Sequence, residues 1–209
     1  MLLPATLKPA KLKQLKAILF AIALLPLARL LVLGLTNGLG ANPVEFVIRS
    51  TGTWTLSFLL ITLSITPLRS LTGANWLVAL RRMLGLYAFF YACLHATGYL
   101  WIDQWFNWNE IFKDIAKRPF ITVGAATFAA LIPLAATSSN AMMRRLGKRW
   151  KTVHQLSYGI ACTGILHYFW LVKKDVTQPT IYAVVLAVLL GVRLIAWIRS
   201  QQRDMSPAL

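Results

Sequence analysis

The chain has 209 residues, a formal net charge of +16, 57% hydrophobic residues and only 13% charged ones. Soluble domains carry roughly 25% charged residues, so this chain lacks the charge to cover a soluble surface, which excludes a soluble catalytic domain. A balance this basic suggests nucleic acid in a soluble protein, but here the basic residues flank long apolar stretches, and no nucleic-acid partner is expected.

Residues 1–16 form a basic segment with Lys8, Lys11, Lys13 and Lys16. A spanning helix needs roughly 20 apolar residues, and six stretches qualify: 17–35, 46–66, 83–101, 120–137, 152–172 and 179–198. The expected fold is therefore an all-α, integral membrane bundle of about six transmembrane helices. Its domains are a basic N-terminal segment over 1–16, the membrane domain over 17–198 and a tail over 199–209. The first span is long for a signal peptide and Arg29 interrupts it, so it is expected to remain as an uncleaved anchor. Pro26 and Pro133 are expected to kink their spans, with neighbouring helices satisfying the freed carbonyls. Pro67 is expected to close span two, while Pro119 and Pro179 stand near the starts of spans four and six.

Charge gives the orientation. Fourteen basic residues lie on one side, including Arg69, Arg81, Arg82, Arg144, Arg145, Arg199 and Arg203, against six on the other: Arg49, Lys113, Lys117, Arg118, Lys173 and Lys174. The positive-inside rule then places both termini in the cytoplasm. Glu45, Asp103, Glu110, Asp114 and Asp175 fall outside and Asp204 inside. Seven of the eight tryptophans map near span ends, as an aromatic belt does; Trp54, in the body of span two, reads as packing. The segment Trp101–Arg118 reads as an interfacial helix or a docking surface. Cys93 and Cys162 sit inside spans and read as buried thiols rather than a disulfide. No internal repeat and no glycine-rich phosphate loop is evident.

The three histidines, His95, His154 and His167, all fall in spans three and five. Ionisable groups inside a membrane are expensive and mark functional sites by default. The bland alternative is a neutral imidazole hydrogen-bonded to a neighbouring helix. Spans three and five run the same way, and at 1.5 Å per residue the depths of His95 and His167 differ by only ~4–5 Å. Two imidazoles at one depth on facing helices can hold a haem iron axially. Gly98 and Gly164 would ease the approach of a flat macrocycle, or serve helix packing. His154 lies ~20 Å from His167 along the helix and roughly 140° off its face, so it cannot serve the same haem; it is a candidate for a second haem or an inner site. Arg81, 14 residues before His95, occupies the comparable place on span three. Arg81 and Arg82 are candidates for haem propionates, a flavin phosphate or a lipid phosphate, or simply for the positive-inside signal.

The run from Arg81-Arg82-Met83-Leu84-Gly85 to Cys93-Leu94-His95, with Trp150-Lys151-Thr152-Val153-His154 and Leu166-His167-Tyr168-Phe169-Trp170, resembles the third and fifth spans of the MsrQ (YedZ) family. That family is part of the ferric-reductase-like transmembrane group, which includes the NADPH oxidases. The resemblance extends over nearly the whole chain. It implies a b-type haem protein of the bacterial inner membrane, with one haem or two. Such a subunit passes electrons from the quinone pool to a periplasmic MsrP-like molybdoenzyme that reduces methionine sulfoxide in damaged proteins. It also implies FMN as a candidate cofactor. The oxidases carry two histidines in each of the two spans; here His95 and His167 match the outer pair, His154 matches one inner ligand, and Arg81 stands in the other inner position. Without the flavin and nicotinamide domains of the oxidases, electrons are expected from quinol or a separate cytosolic flavin reductase. The competing readings are a transmembrane ferric or quinone reductase acting on a small acceptor, and a non-redox transporter or assembly factor with structural histidines.

Overall fold

The computed structural model describes residues 4–172 and 174–205. Lys173, and the side chains of Arg203 and Asp204, which enter the charge balance, lie outside the described residues, as do 206–209 of the tail.

Among the described residues every regular element is helical and none is a strand. The chain order is α1 (Pro9–Leu35), α2 (Pro43–Thr72), a short 3-10 turn (Asn75–Leu77), α3 (Val78–Thr97), a π-turn (Gly98–Asp103), α4 (Trp108–Lys117), α5 (Pro119–Ala136), α6 (Asn140–Leu146), α7 (Lys148–Leu171) and α8 (Thr177–Met205). Proline supplies the first residue of α1, α2 and α5, where its missing N–H costs nothing. Gly73 ends α2 in the left-handed conformation, φ 72°, and its N–H closes on the Arg69 carbonyl, a conformation that favours glycine.

Five helical segments are long and apolar enough to cross a membrane: Pro9–Leu35, Pro43–Thr72, Asn75–Asp103, Pro119–Ala136 and Thr177–Gln202. The chain is a multi-pass helical membrane protein. The stretch expected as the fifth of six spans became α7, which is long enough but is more polar than the others, with Lys148, Arg149, Lys151, His154 and Gln155 in its first turns.

Four helices close a ring: α2 packs on α3, α3 on α5, α5 on α7 and α7 back on α2. Helices α3 and α7 therefore stand across the diagonal. Helix α1 leans on α2 and α3, and α8 on α2 and α7. The core runs through Leu56, Leu59, Leu63, Leu84, Tyr87, Tyr91, Leu131, Ile160 and Ile165. Trp54 belongs to it, 5.8 Å from the ring of Phe58 and 6.5 Å from that of Tyr91.

Polar groups inside this core repair the helices that proline disturbs. At Pro26 in α1, the Tyr91 hydroxyl accepts from the Leu27 N–H at 3.3 Å and donates to the Ala23 carbonyl at 2.8 Å. A side chain thus joins the backbone ladder beside the proline. Pro67 does not end its helix as expected: α2 runs on to Thr72. A proline within a helix leaves the carbonyl four residues earlier without its donor, here that of Leu63, and the Arg193 guanidinium of α8 donates to it at 2.6 Å. Arg193 also donates to the Tyr158 hydroxyl and lies 4.9 Å over that ring. Arg193 thus stands in α8 as the donor that serves a carbonyl freed by proline.

The connection Trp101–Arg118 contains an amphipathic helix, α4, with Ile111 buried and Trp108 and Phe112 exposed on the apolar side. Asp114 ties it down, accepting from Tyr99 at 3.2 Å and pairing with Arg118 at 3.2 Å. Both cysteines are free, Cys93 half-buried and Cys162 exposed, so burial was the wrong expectation for Cys162. Asp175, at the surface before α8, accepts from the Thr177 N–H at 2.9 Å. Hydrogen bonds from Thr177 hold its carboxyl below the usual carboxylate range.

Candidate haem site

His95 lies near the end of α3 and His167 near the end of α7. The two rings come together with centroids 6.1 Å apart and planes at 79°. Metal–imidazole bonds of about 2 Å on each side, with the two ring half-widths, sum to a centroid separation of about 6 Å. The pair is therefore spaced for one metal ion between its rings.

Each ring is held by the same device. His95 Nδ1 lies 2.8 Å from the Ile48 carbonyl of α2, and His167 Nδ1 lies 2.7 Å from the Phe120 carbonyl of α5. A carbonyl can only accept, so each Nδ1 carries the proton. That leaves both Nε2 lone pairs free for a metal, as the outer partners of metal-bound histidines do. One turn further along each supporting helix stands a glycine. A Cβ on Gly52 would meet His95 Nδ1 and Cε1 at 3.0 Å, and a Cβ on Gly124 would meet His167 Cε1 at 2.8 Å. Nothing larger than hydrogen fits there while the rings stay where they are.

The two halves repeat. Each carbonyl precedes its histidine by 47 residues, and Phe120, Gly124 and His167 each stand 72 residues after Ile48, Gly52 and His95. This internal repeat escaped the sequence reading because few residues agree at that offset beyond Thr55 with Thr127 and Leu59 with Leu131. The spacing of glycine and histidine was the available signal. Of the two readings of Gly98 and Gly164 the geometry matches helix packing: their Cβ atoms would meet Ile48 at 3.0 Å and Leu56 at 3.6 Å, so they admit α2 side chains.

His154 sits near the other end of α7, apart from the pair. Trp150 stacks on it, centroids 3.9 Å apart, and the Trp150 carbonyl lies 3.1 Å from its Nδ1. The Trp150 indole donates to the Thr137 carbonyl at 2.9 Å, so this tryptophan does more than anchor a span end. Arg81 donates to the Thr66 hydroxyl at 3.4 Å and is near enough to His154 for their charges to interact. Arg82 faces elsewhere, into a groove between α3 and α1. The structure thus brings together His95 with His167, sets Arg81 against Thr66 of α2 and turns Arg82 towards α1. At the end of the bundle that holds His167, Arg49, Tyr168, Lys174, Asp175 and Gln178 line a cavity of about 600 Å³. Arg49 follows Ile48 in the chain and Tyr168 follows His167, so this polar mouth adjoins the paired rings. Neither Arg49 nor Lys174 was singled out from sequence, because as isolated loop charges they carry no motif.

Comparison with known proteins agrees with this arrangement. The family described as the ferric reductase like transmembrane component matches residues 51–165. The protein-methionine-sulfoxide reductase heme-binding subunit MsrQ of Herminiimonas arsenicoxydans is 56% identical over 205 residues, covering 96% of this chain and 93% of the relative. The protein of the same name from Ralstonia nicotianae is 55% identical over 195 residues, with 92% and 90% covered. That from Bordetella pertussis is 52% identical over 188 residues, with 89% and 91% covered. No solved structure matches the chain.

Proposed function

The chain belongs to the MsrQ family of ferric-reductase-like transmembrane proteins, and from that premise we propose that it is the haem-binding membrane subunit of a methionine sulfoxide reductase system. In this reading it carries electrons from the quinone pool, or from a cytosolic flavin reductase, across the bacterial inner membrane to a periplasmic MsrP-like molybdoenzyme. The observation that carries the proposal is the paired imidazoles, 6.1 Å apart with each Nδ1 engaged. His95 and His167 would hold the iron of a b-type haem. Bound there, the haem would supply one-electron chemistry, and two histidine ligands would leave the iron no free place for oxygen, which favours outer-sphere electron transfer. Lys174, and Arg49 beyond its pairing with Glu45 at 2.6 Å, would supply positive charge for propionates at that mouth. At the inner level His154 is the candidate ligand of a second haem. Arg81 beside it is the cation for a propionate or for the phosphate of FMN, the cofactor the family resemblance implies.

We also propose that α7 is the sixth span, which returns both termini to the cytoplasm and makes 17–198 one membrane domain. Helix α7 touches both ends of the spanning helix α5: His167 meets the Phe120 carbonyl at one end and Trp150 meets the Thr137 carbonyl at the other. Its 24 residues give a length of about 36 Å, enough for a hydrocarbon core of about 30 Å.

The test is an absorption spectrum of the detergent-purified protein, oxidised and dithionite-reduced, with haem counted per chain and flavin assayed in the denatured supernatant. His95→Ala and His167→Ala are each expected to abolish the outer haem. A variant that keeps wild-type haem content and spectrum overturns the assignment. The outer cavity of about 600 Å³ favours one second reading, direct reduction of a small acceptor. Turnover with a purified MsrP-like partner, compared with turnover on ferric chelates, separates the two.

A further inference from the structure

Helices α1 and α3 present matching stripes to one another. Lys16, Phe20 and Leu24 stand at four-residue steps on α1, and Arg82, Leu86 and Phe90 stand at the same steps on α3; together they line a cavity of about 400 Å³. Each stripe begins with a cation at the basic end and continues apolar for two turns, about 12 Å. The groove opens outward, with Phe20 54% and Leu86 40% exposed. No acidic residue precedes Glu45 and none lies between Glu45 and Asp103, so α1 and α3 offer these cations no carboxylate. Among the described residues neither Lys16 nor Arg82 forms an ion pair. The Tyr87 hydroxyl at the back of the groove is already engaged, donating to the Phe20 carbonyl at 2.8 Å.

We propose that this groove is a binding site for one anionic phospholipid, its phosphate held between Lys16 and Arg82 and an acyl chain lying along the apolar stripes. Charge complementarity selects this occupant. A quinol giving up electrons must also release two protons, and beyond the engaged Tyr87 hydroxyl the groove holds only cationic donors, with no carboxylate or imidazole to accept them. An anionic headgroup needs what is present, two cations at the cytoplasmic headgroup level. The lipid would fasten α1, which leans on the bundle at its edge, to the helix that carries His95.

The experiment is native mass spectrometry of the full-length protein titrated with phosphatidylglycerol or phosphatidylcholine in detergent. One basic residue near an anionic lipid is worth about fivefold in affinity, so the wild type is expected to retain one phosphatidylglycerol at least tenfold more tightly than phosphatidylcholine. The double variant Lys16→Gln/Arg82→Gln is expected to lose that preference. Leu86→Trp, which fills the groove without touching its charge, is expected to expel the lipid. Lys11→Gln/Lys13→Gln, an equal loss of charge outside the groove, is expected to keep it. Equal retention of the two lipids by the wild type overturns the proposal. So does an equal loss in the Lys11/Lys13 control, which would reduce the effect to general surface charge. One-for-one displacement of the lipid by ubiquinone also overturns it, and would make the groove a quinone site.

Discussion

Replacing Gly124 by alanine tests whether the supporting helices set the geometry of the histidine pair. The new Cβ would stand 2.8 Å from His167 Cε1 and 2.9 Å from Nδ1. Carbon atoms rest about 3.5–4.0 Å apart, so the ring must retreat by roughly 0.7 Å or α5 must move away by as much. Functional constellations tolerate about 0.5 Å. A retreat of this size also stretches the 2.7 Å bond to the Phe120 carbonyl, which fixes the tautomer. Overpacking costs about 1–3 kcal/mol, but alanine recovers about 1 kcal/mol of helix propensity over glycine. The fold should therefore change little. The haem should suffer more, because losing the outer partner of a metal ligand typically lowers affinity about 10- to 100-fold. The assay is haem titration of the apoprotein, followed by absorbance and paired with a thermal melt. The control is Gly159→Ala on the same helix as His167, where a Cβ meets nothing within 4 Å. Gly52→Ala, with contacts at 3.0 Å, should show the same loss in milder form. Wild-type haem affinity in Gly124→Ala, with an unchanged spectrum and midpoint potential, would refute the reasoning.

Three further outcomes follow from the same geometry. Imidazole planes at 79° leave the two dπ orbitals of low-spin ferric iron nearly degenerate, so the oxidised outer haem should give a highly anisotropic EPR signal with a large g-maximum; an ordinary rhombic signal would mean the rings turn towards parallel. Tyr91→Phe removes the hydroxyl that serves Ala23 and Leu27 at Pro26, and buried polar groups without partners should cost about 1–3 kcal/mol, read as a lower melting temperature in detergent with haem content preserved. Arg193→Lys replaces a planar fork by a point charge, which cannot serve the Leu63 carbonyl and Tyr158 together; a loss of about 1.5–3 kcal/mol, one charged hydrogen bond, is expected, and an unchanged melting temperature would show that the pairing at Pro67 contributes nothing.

The histidines were legible in the sequence because an imidazole inside an apolar span is costly, and counting residues along two parallel spans placed His95 and His167 at one depth. The means of holding them was not legible. A backbone carbonyl has no letter of its own, so Ile48 and Phe120 look like any apolar residues at a helix start. Gly52 and Gly124 look like ordinary packing glycines until the ring beside each is located. Pro67 misled for a similar reason: a proline ends a helix unless a donor from elsewhere serves the freed carbonyl, and that donor, Arg193, lies 130 residues away. Arg81 and Arg82 are neighbours in the chain, yet the 100° turn between them sends one towards α2 and His154 and the other towards α1.

The polarity of α7 follows from the same logic. Its hydropathy falls below that of the five apolar segments because its first turns carry Lys148, Arg149, Lys151 and Gln155, and because further polar residues along it take partners within the bundle. Trp150 and His154 stack at one end, Ser157 donates to the His154 carbonyl at 2.8 Å, and Tyr158 receives Arg193. Thr163 accepts from Thr127 at 2.8 Å, and His167 reaches Phe120. A polar group inside a bilayer is tolerated when a neighbouring helix satisfies it. These partners come from α5 and α8 or from α7 itself, so the groups named are engaged within the bundle. The diagonal partner α3 needs fewer such residues, because its tyrosines spend their hydroxyls on the carbonyls of α1. The proposed sixth span is thus the one a hydropathy threshold misses, and it holds both His154 and His167.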